Sequence, residues 1–295
     1  MLTLAAALHR RALLGASTRR RAPRKVPEAR LPTAIALAYT QHLHGLVDAL
    51  EADTRAAFER VGLRWDARSV RADAAADGDG PSLLAGDASK ILARLRAAAA
   101  ERLRAPSVLS VVEGVSAGIV GFTREEFARQ MKAALGIDLT TDPVLTQQRA
   151  TFRRENLELI RSLTTDHVER VARVLQGGAG DRVEVLRARI MGETGVVKSR
   201  ASLIARDQVL KLNADVSHAR HQAAGVVEYI WRTSRDERVR PAHRDLDGQR
   251  FRYDTPPVVD AKGGRHENPG GDFQCRCTAE PVLPDFGAMP AAPTG

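Results

Sequence analysis

The sequence predicts an α+β fold: a mostly helical body with long helices, a small C-terminal β-rich module, and a flexible basic N-terminal arm. Three observations carry this prediction. Apolar residues recur at three- and four-residue spacing through much of the stretch from Thr33 to Ala224. From Val226 onward the texture changes to β-branched and aromatic runs separated by Pro-, Gly- and Asp-rich loops. Eight of the 45 basic residues crowd into the first 30 positions beside a single acid.

The arm accounts for most of the charge. The 295 residues carry a formal net charge of +9; residues 1–30 hold +7 and the remainder +2. A nearly neutral body excludes a whole-surface polyelectrolyte and leaves the arm to meet phosphate or an acidic partner. Its candidate nucleic-acid-binding residues are Arg10, Arg11, Arg19, Arg20, Arg21, Arg24 and Lys25. Arginine supplies 39 of the 45 basic residues, which suits bidentate pairing with phosphate. An Ala- and Arg-rich composition is also what a GC-rich genome produces. Three prolines within residues 19–32 make that stretch an extended segment. The apolar run Leu2–Leu8 precedes its basic residues, the reverse of a signal peptide, although an Arg-rich, acid-poor start is shared with organelle transit peptides. No stretch reaches ~18 consecutive apolar residues, so no transmembrane helix is expected.

The body reads in order as follows. Thr33 to about Val61 is helical, with Ile35, Tyr39, Leu43, Leu46, Val47, Leu50 and Phe58 on one stripe. Arg71–Asp87, containing Asp-Gly-Asp-Gly-Pro, is a linker. Ala88–Arg104 is a helix that stops before Pro106. Thr123-Arg-Glu-Glu126 has the pattern of a capping box opening a helix that Gly136 ends. Asp142-Pro143 marks another helix start, and the helix runs to about Leu175 with a core stripe from Leu145 to Leu175. A short helix over Asp181–Met191 and a long one over Lys198–Ala224 follow. Strands are expected at Val226–Thr233, Arg250–Tyr253 and Thr278–Leu283. The chain thus divides into an arm (1–30), an N-terminal helical region (31–120, linker near 71–87), a helical core (121–225), the β-rich module (226–286) and a tail (287–295).

The candidate chemistry lies in the β-rich module. The two cysteines, Cys275 and Cys277, are too close in sequence for an unstrained disulfide, which excludes a secreted disulfide scaffold. With His243 and His266 they supply N and S ligands of the kind zinc takes, with Asp245 and Asp247 as further candidates. The plain alternative is a half-buried cysteine pair in a turn beside surface histidines. Asp236, Glu237, His243, Asp245 and Asp247 also permit a metal-dependent nuclease, but the interleaved arginines equally describe a solvated, self-paired surface. His243-Arg-Asp-Leu246 copies the start of a kinase catalytic loop; Arg250 stands where the magnesium-binding Asn belongs, and no Gly-rich loop precedes it.

The order Trp231, Thr233, Asp236-Glu-Arg-Val239, His243, Leu246-Asp-Gly248, Pro269, Cys275-Arg-Cys277 and Pro281 resembles the C-terminal signature of phage minor head proteins, the head-morphogenesis family that includes the Mu F-like proteins. Ser199–Gln208, with Asn213, is similar to the helix that precedes it in that family, so the resemblance spans about residues 120–285. It marks Arg206, Asp207, Trp231, Asp236, Asp247 and Gly248 as signature residues. Arg206 and Asp207 read either as an exposed polar face or as a charged pair docking the β module on the helix. The resemblance implies a non-enzymatic virion or procapsid component present in the host cytoplasm during assembly. Its implied partners are the portal protein, scaffold or major capsid protein, and phage DNA, with no membrane. Some relatives carry a Cys-Pro-x-Cys pair where this chain has Arg240-Pro241-Ala242-His243, which with the later C-x-C would make a four-cysteine zinc site. Here one of those ligands is missing, unless His266 or an aspartate replaces it.

Overall fold

The computed structural model describes residues 25–65, 82–136, 138, 142–260 and 262–283. Five long helices come first: α1 (Thr33–Glu59), α2 (Ala85–Arg104), α3 (Pro106–Leu135), α4 (Thr146–Gly177) and α5 (Val183–Ala223). The C-terminal part contains β1 (Glu228–Arg232), the short helix α6 (Pro241–Arg244), β2 (Arg250–Arg252), β3 (Val258–Asp260), β4 (Arg265–His266) and β5 (Thr278–Pro281). The α+β class read from the sequence is the class observed. Arg10, Arg11, Arg19, Arg20, Arg21 and Arg24, most of the expected linker and the expected tail lie outside the described residues.

Contacts group the chain into two compact units: residues 36–115 with 153–206, and residues 1–35 with 116–152 and 207–295. The first is helical. Its core takes Leu50, Ala57 and Phe58 from α1, Ile91 and Leu95 from α2, Val171 and Leu175 from α4, and Leu186 and Ile190 from α5. Each of the larger side chains here contributes about 1.5–3 kcal/mol when fully buried. Trp65 stands edge-on to Phe58, with centroids 4.9 Å apart. Buried polar groups are paired: Tyr39 Oη donates to Asn156 Oδ1 at 2.8 Å.

The second unit combines the later turns of α3 and α5 with the strands. β1 is the middle of an antiparallel sheet, order β2-β1-β5, with Tyr229 opposite Phe251 and Trp231 opposite Ala279. β3 and β4 form a separate antiparallel pair. Period-two alternation puts Tyr229 and Trp231 on the buried face of β1. There they join Phe127, Met131, Ala224, Val226, Tyr253, Val259 and both cysteines. α5 delivers the chain to β1 through Gly225 at φ +82°, and the Val226 amide donates back to the His221 carbonyl at 2.9 Å. This is the six-to-one closure that glycine permits at a helix end.

Residues 25–32 are fastened to α3. Val26 is buried, Gln130 Nε2 donates to the Pro27 carbonyl, and Arg129 Nη2 donates to that of Glu28. The Arg30 amide and guanidinium both reach the Glu126 carboxylate, at 2.9 and 2.7 Å. The expected free arm therefore ends before residue 30, and Lys25 is its one exposed, described candidate DNA contact.

Several helix boundaries differ from expectation. Thr123 and Glu126 do not cap a helix; they lie inside α3, which runs unbroken from Pro106. The Thr123 hydroxyl donates to the Val120 carbonyl and accepts from Arg220 Nε at 3.2 Å, so tertiary partners take the groups a cap would use. Asp142 does not open α4, which starts at Thr146; its carboxylate faces Arg124 and Arg220 instead. The two helices expected over 181–224 are one, α5, 41 residues long. Gly192 and Gly195 cost it about 1 kcal/mol each, but Ile190, Val197 and Ala201 remain fully buried across them. The Gly136 stop and the helix break at Pro106 are as expected. α3 is also long and apolar enough to cross a membrane, yet its Thr123, Glu126 and Gln130 are buried in protein and hydrogen-bonded.

Two outcomes follow. Asn156→Ala strands the buried Tyr39 hydroxyl and should cost about 1–3 kcal/mol, read as a lower urea midpoint at unchanged slope; an unchanged midpoint would show that the pair carries no stability. For Glu126, burial alone would raise the pKa, but hydrogen bonds from Arg129 and Arg30 outweigh it and hold the carboxyl below its ordinary 4.5. The stability it lends is complete above pH 4.5 and is lost as pH falls through the folded value. Amide protection in residues 25–32, corrected for intrinsic rates, should therefore drop below pH 4.5, and Glu126→Gln should show the lowered protection already at neutral pH.

Candidate functional site

The most densely built site lies under β1. Its inward face carries Trp231, fully buried. Gly248, at φ +80°, lets the chain return toward β2, its amide donating to the Trp231 carbonyl at 2.8 Å. Asp247 braces this excursion by accepting from the Thr233 amide at 2.8 Å. Within the loop Pro241 starts α6, pre-set in φ for a first helical position. That single turn points His243 inward, edge-on to Trp231 with ring centroids 5.6 Å apart.

The cysteines arrive from the other side. Asp207 on α5 is buried; its Oδ1 accepts from the Gln274 amide at 2.7 Å and its Oδ2 pairs with Lys211 at 2.8 Å. Gln274 sits at φ +51°, a backbone region that non-glycine residues rarely adopt unless the surroundings hold them there. Gly270, at φ +90°, lets the preceding loop touch α5: a Cβ there would lie 2.6 Å from that of Ala214. Cys275 and Cys277 follow, both buried, just before β5.

His243 Nδ1 lies 3.5 Å from Cys275 Sγ and 3.6 Å from Cys277 Sγ. On the far side of the ring, Nε2 lies 3.3 Å from Asp272 Oδ2, within ion-pair range but out of line for a hydrogen bond. Asp272 is itself buried and held by Arg240 Nη1 at 2.8 Å, Arg265 Nη2 at 3.0 Å and the Phe273 amide at 2.8 Å. The hydrogen bond from Cys277 outweighs burial and, with His243 and the backbone amides of Cys277 and Gly270, holds Cys275 below the usual thiol range. The neighbouring Cys275 sulfur, with burial, pushes Cys277 up and, against burial, pulls His243 up.

Among the described residues His243, Cys275 and Cys277 gather as a group that could hold a metal, their ligand atoms all within 4.8 Å of one another. His266 is not brought to it: it is exposed on β4, with Nδ1 on the Pro256 carbonyl. Nor do the nuclease candidates converge. Asp236 is occupied by Arg276 on both oxygens, Asp247 by Thr233 and Arg235, and Asp245 and Glu237 are exposed. Arg206 is exposed, so the docking role expected of the Arg206–Asp207 pair falls to Asp207 alone.

Sequence reasoning missed Asp272, Arg240 and Arg265, whose roles have no local signature. It also missed a second cluster, which His218 and His221 at i, i+3 on one helix face could have signalled. His218 stacks on Tyr253, centroids 4.0 Å apart, and His221 Nδ1 is hydrogen-bonded to Tyr253 Oη. A cavity of about 120 Å³ is lined by these three together with Asn213, Cys275 and Cys277. Burial, and then the adjacent His218, lower His221 to about 3.

His221 is therefore neutral when folded, and the stability lent by its neutral burial is intact above pH 6.5 and erodes as pH falls from there toward 3. Melting temperature should decline across that interval, and His221→Gln should flatten the decline; an unaltered slope would contradict the assignment. Trp231→Ala removes the fully buried side chain over His243 and should cost about 3–5 kcal/mol, measured by denaturant unfolding.

The description of phage Mu protein F like proteins matches residues 110–280. A Haemophilus influenzae strain Rd protein, described as uncharacterized, is 35% identical over 164 residues, 54% of this chain and 35% of that protein. The aligned stretch thus spans about a third of that relative's length. No solved structure matches. With more than half of its residues matched, including Asp207, His243, Cys275 and Cys277, the chain belongs to the phage Mu protein F like family.

Proposed function

We propose that the protein is a structural minor head protein that docks at the portal vertex and acts in procapsid assembly and in DNA packaging or delivery. The observation that carries this reading is the family match over residues 110–280, which takes in all but the last residue of the three-stranded sheet and the loops that brace it. A rigid, internally latched module suits a docking element. The basic residues of the first 24 positions, six arginines and no acid, then serve as an electrostatic tether to packaged or incoming DNA. The fastening of residues 25–32 to α3 gives that tether a fixed root. A nuclease finds less support, because its candidate carboxylates are committed to arginines and backbone amides or stand exposed.

Co-expression with a portal protein from the same genome should yield a complex that survives gel filtration; separate elution of two folded proteins would refute docking. Removing residues 1–24 leaves the fastened segment in place, and should abolish most salt-sensitive DNA binding in a shift assay. Equal binding by the truncated chain would remove the tether.

A further inference from the structure

We infer that His243, Cys275 and Cys277 form a three-ligand site for one zinc ion, with a water in the fourth position. The distances carry the argument. Zinc bound to imidazole at about 2.0–2.1 Å and to thiolate at about 2.3 Å, at tetrahedral angles, places N and S about 3.5–3.6 Å apart. His243 Nδ1 stands 3.5 and 3.6 Å from the two sulfurs. All three groups are buried, so no solvent explains their convergence.

Thiol–imidazole hydrogen bonding does not account for the arrangement. An imidazole nitrogen makes one linear hydrogen bond, donating it when protonated and accepting it when neutral, yet two sulfurs stand at nearly equal distance from it. A Cys–His–Asp nucleophile leaves the second sulfur without a role, although it stands as close to the imidazole as the first. One dication answers both points: two thiolates neutralise it, and the imidazole completes the set without adding charge.

The surroundings are those of a metal site. A carboxylate commonly stands at the other ring nitrogen of a metal-bound imidazole; the buried Asp272 lies 3.3 Å from His243 Nε2, close enough for charge attraction though out of line for a hydrogen bond. The ligands sit on pre-set backbone, His243 on α6 and Cys275 beside the Gln274 turn that Asp207 holds. Mixed nitrogen and sulfur donors suit zinc over hard cations.

The test reads metal content, so it is independent of the head-assembly reading. Full-length protein purified under reducing conditions without chelator should contain about one zinc per chain by elemental analysis. Cobalt exchanged into the site should give a thiolate-to-metal charge-transfer band and the intense visible bands of a tetrahedral ion. Asp272→Asn should weaken zinc roughly 10–100-fold in chelator competition, while keeping the same cobalt spectrum at saturation. Cys275→Ser with Cys277→Ser should abolish both signals; if that variant does not fold, the wild-type zinc content and cobalt spectrum decide. Folded wild-type protein that contains no stoichiometric metal and takes up neither zinc nor cobalt would overturn the inference. So would rapid alkylation of both thiols by iodoacetamide, unaltered by added zinc.

Discussion

Tyr229 and Trp231 point to the same side of one five-residue strand, and the C-terminal unit is arranged to keep that side dry. The sheet has strands of five, three and four residues. So small a sheet cannot exclude water from two large rings unaided. Phe127 and Met131 on α3 and Ala224 at the end of α5 supply the missing apolar surface. The helices are therefore part of the module's core and not only a scaffold for it.

Apolar packing alone would leave the loops free, and buried ion pairs set their course. Glu280 on β5 pairs with Arg232 on β1, Asp272 collects Arg240 and Arg265, and Asp207 holds the turn before the cysteines. Arg220, almost wholly buried, donates to the Val120 carbonyl and the Thr123 hydroxyl. Desolvation consumes much of the attraction in such pairs, so their net stabilisation is small. Removing one partner is costly, because the other is left charged and buried. Their contribution is to fix geometry, and the outcome is a histidine on a single helical turn and two cysteines on an irregular loop converging on one point.

The strands of the sheet were legible because β1 alternates strictly and its aromatics are dense; Pro106 and Gly136 were legible because they act locally. The cysteine–histidine set was legible in composition but not in membership. Nothing local distinguishes His243 from His266, and only the inward turn of α6 does so. The threonine–glutamate pattern at 123–126 misled for a physical reason: the same hydroxyl and carboxylate that cap a helix also pair with distant arginines, and here Arg220 and Arg30 take them. α5 hid its continuity behind two glycines whose cost is met by buried neighbours on the same helix. β3 and β4 are too short to leave a periodic trace.

The central claim is that the sheet and the later turns of α3 and α5 form one cooperative core. Native-state hydrogen exchange on the full chain tests it most directly. Amides of β1, β5 and residues 274–277 should open with the same free energy as those of α5 from Asp207 to His221. A sheet that exchanges by a separate, lower-energy opening while α5 remains protected would contradict the account.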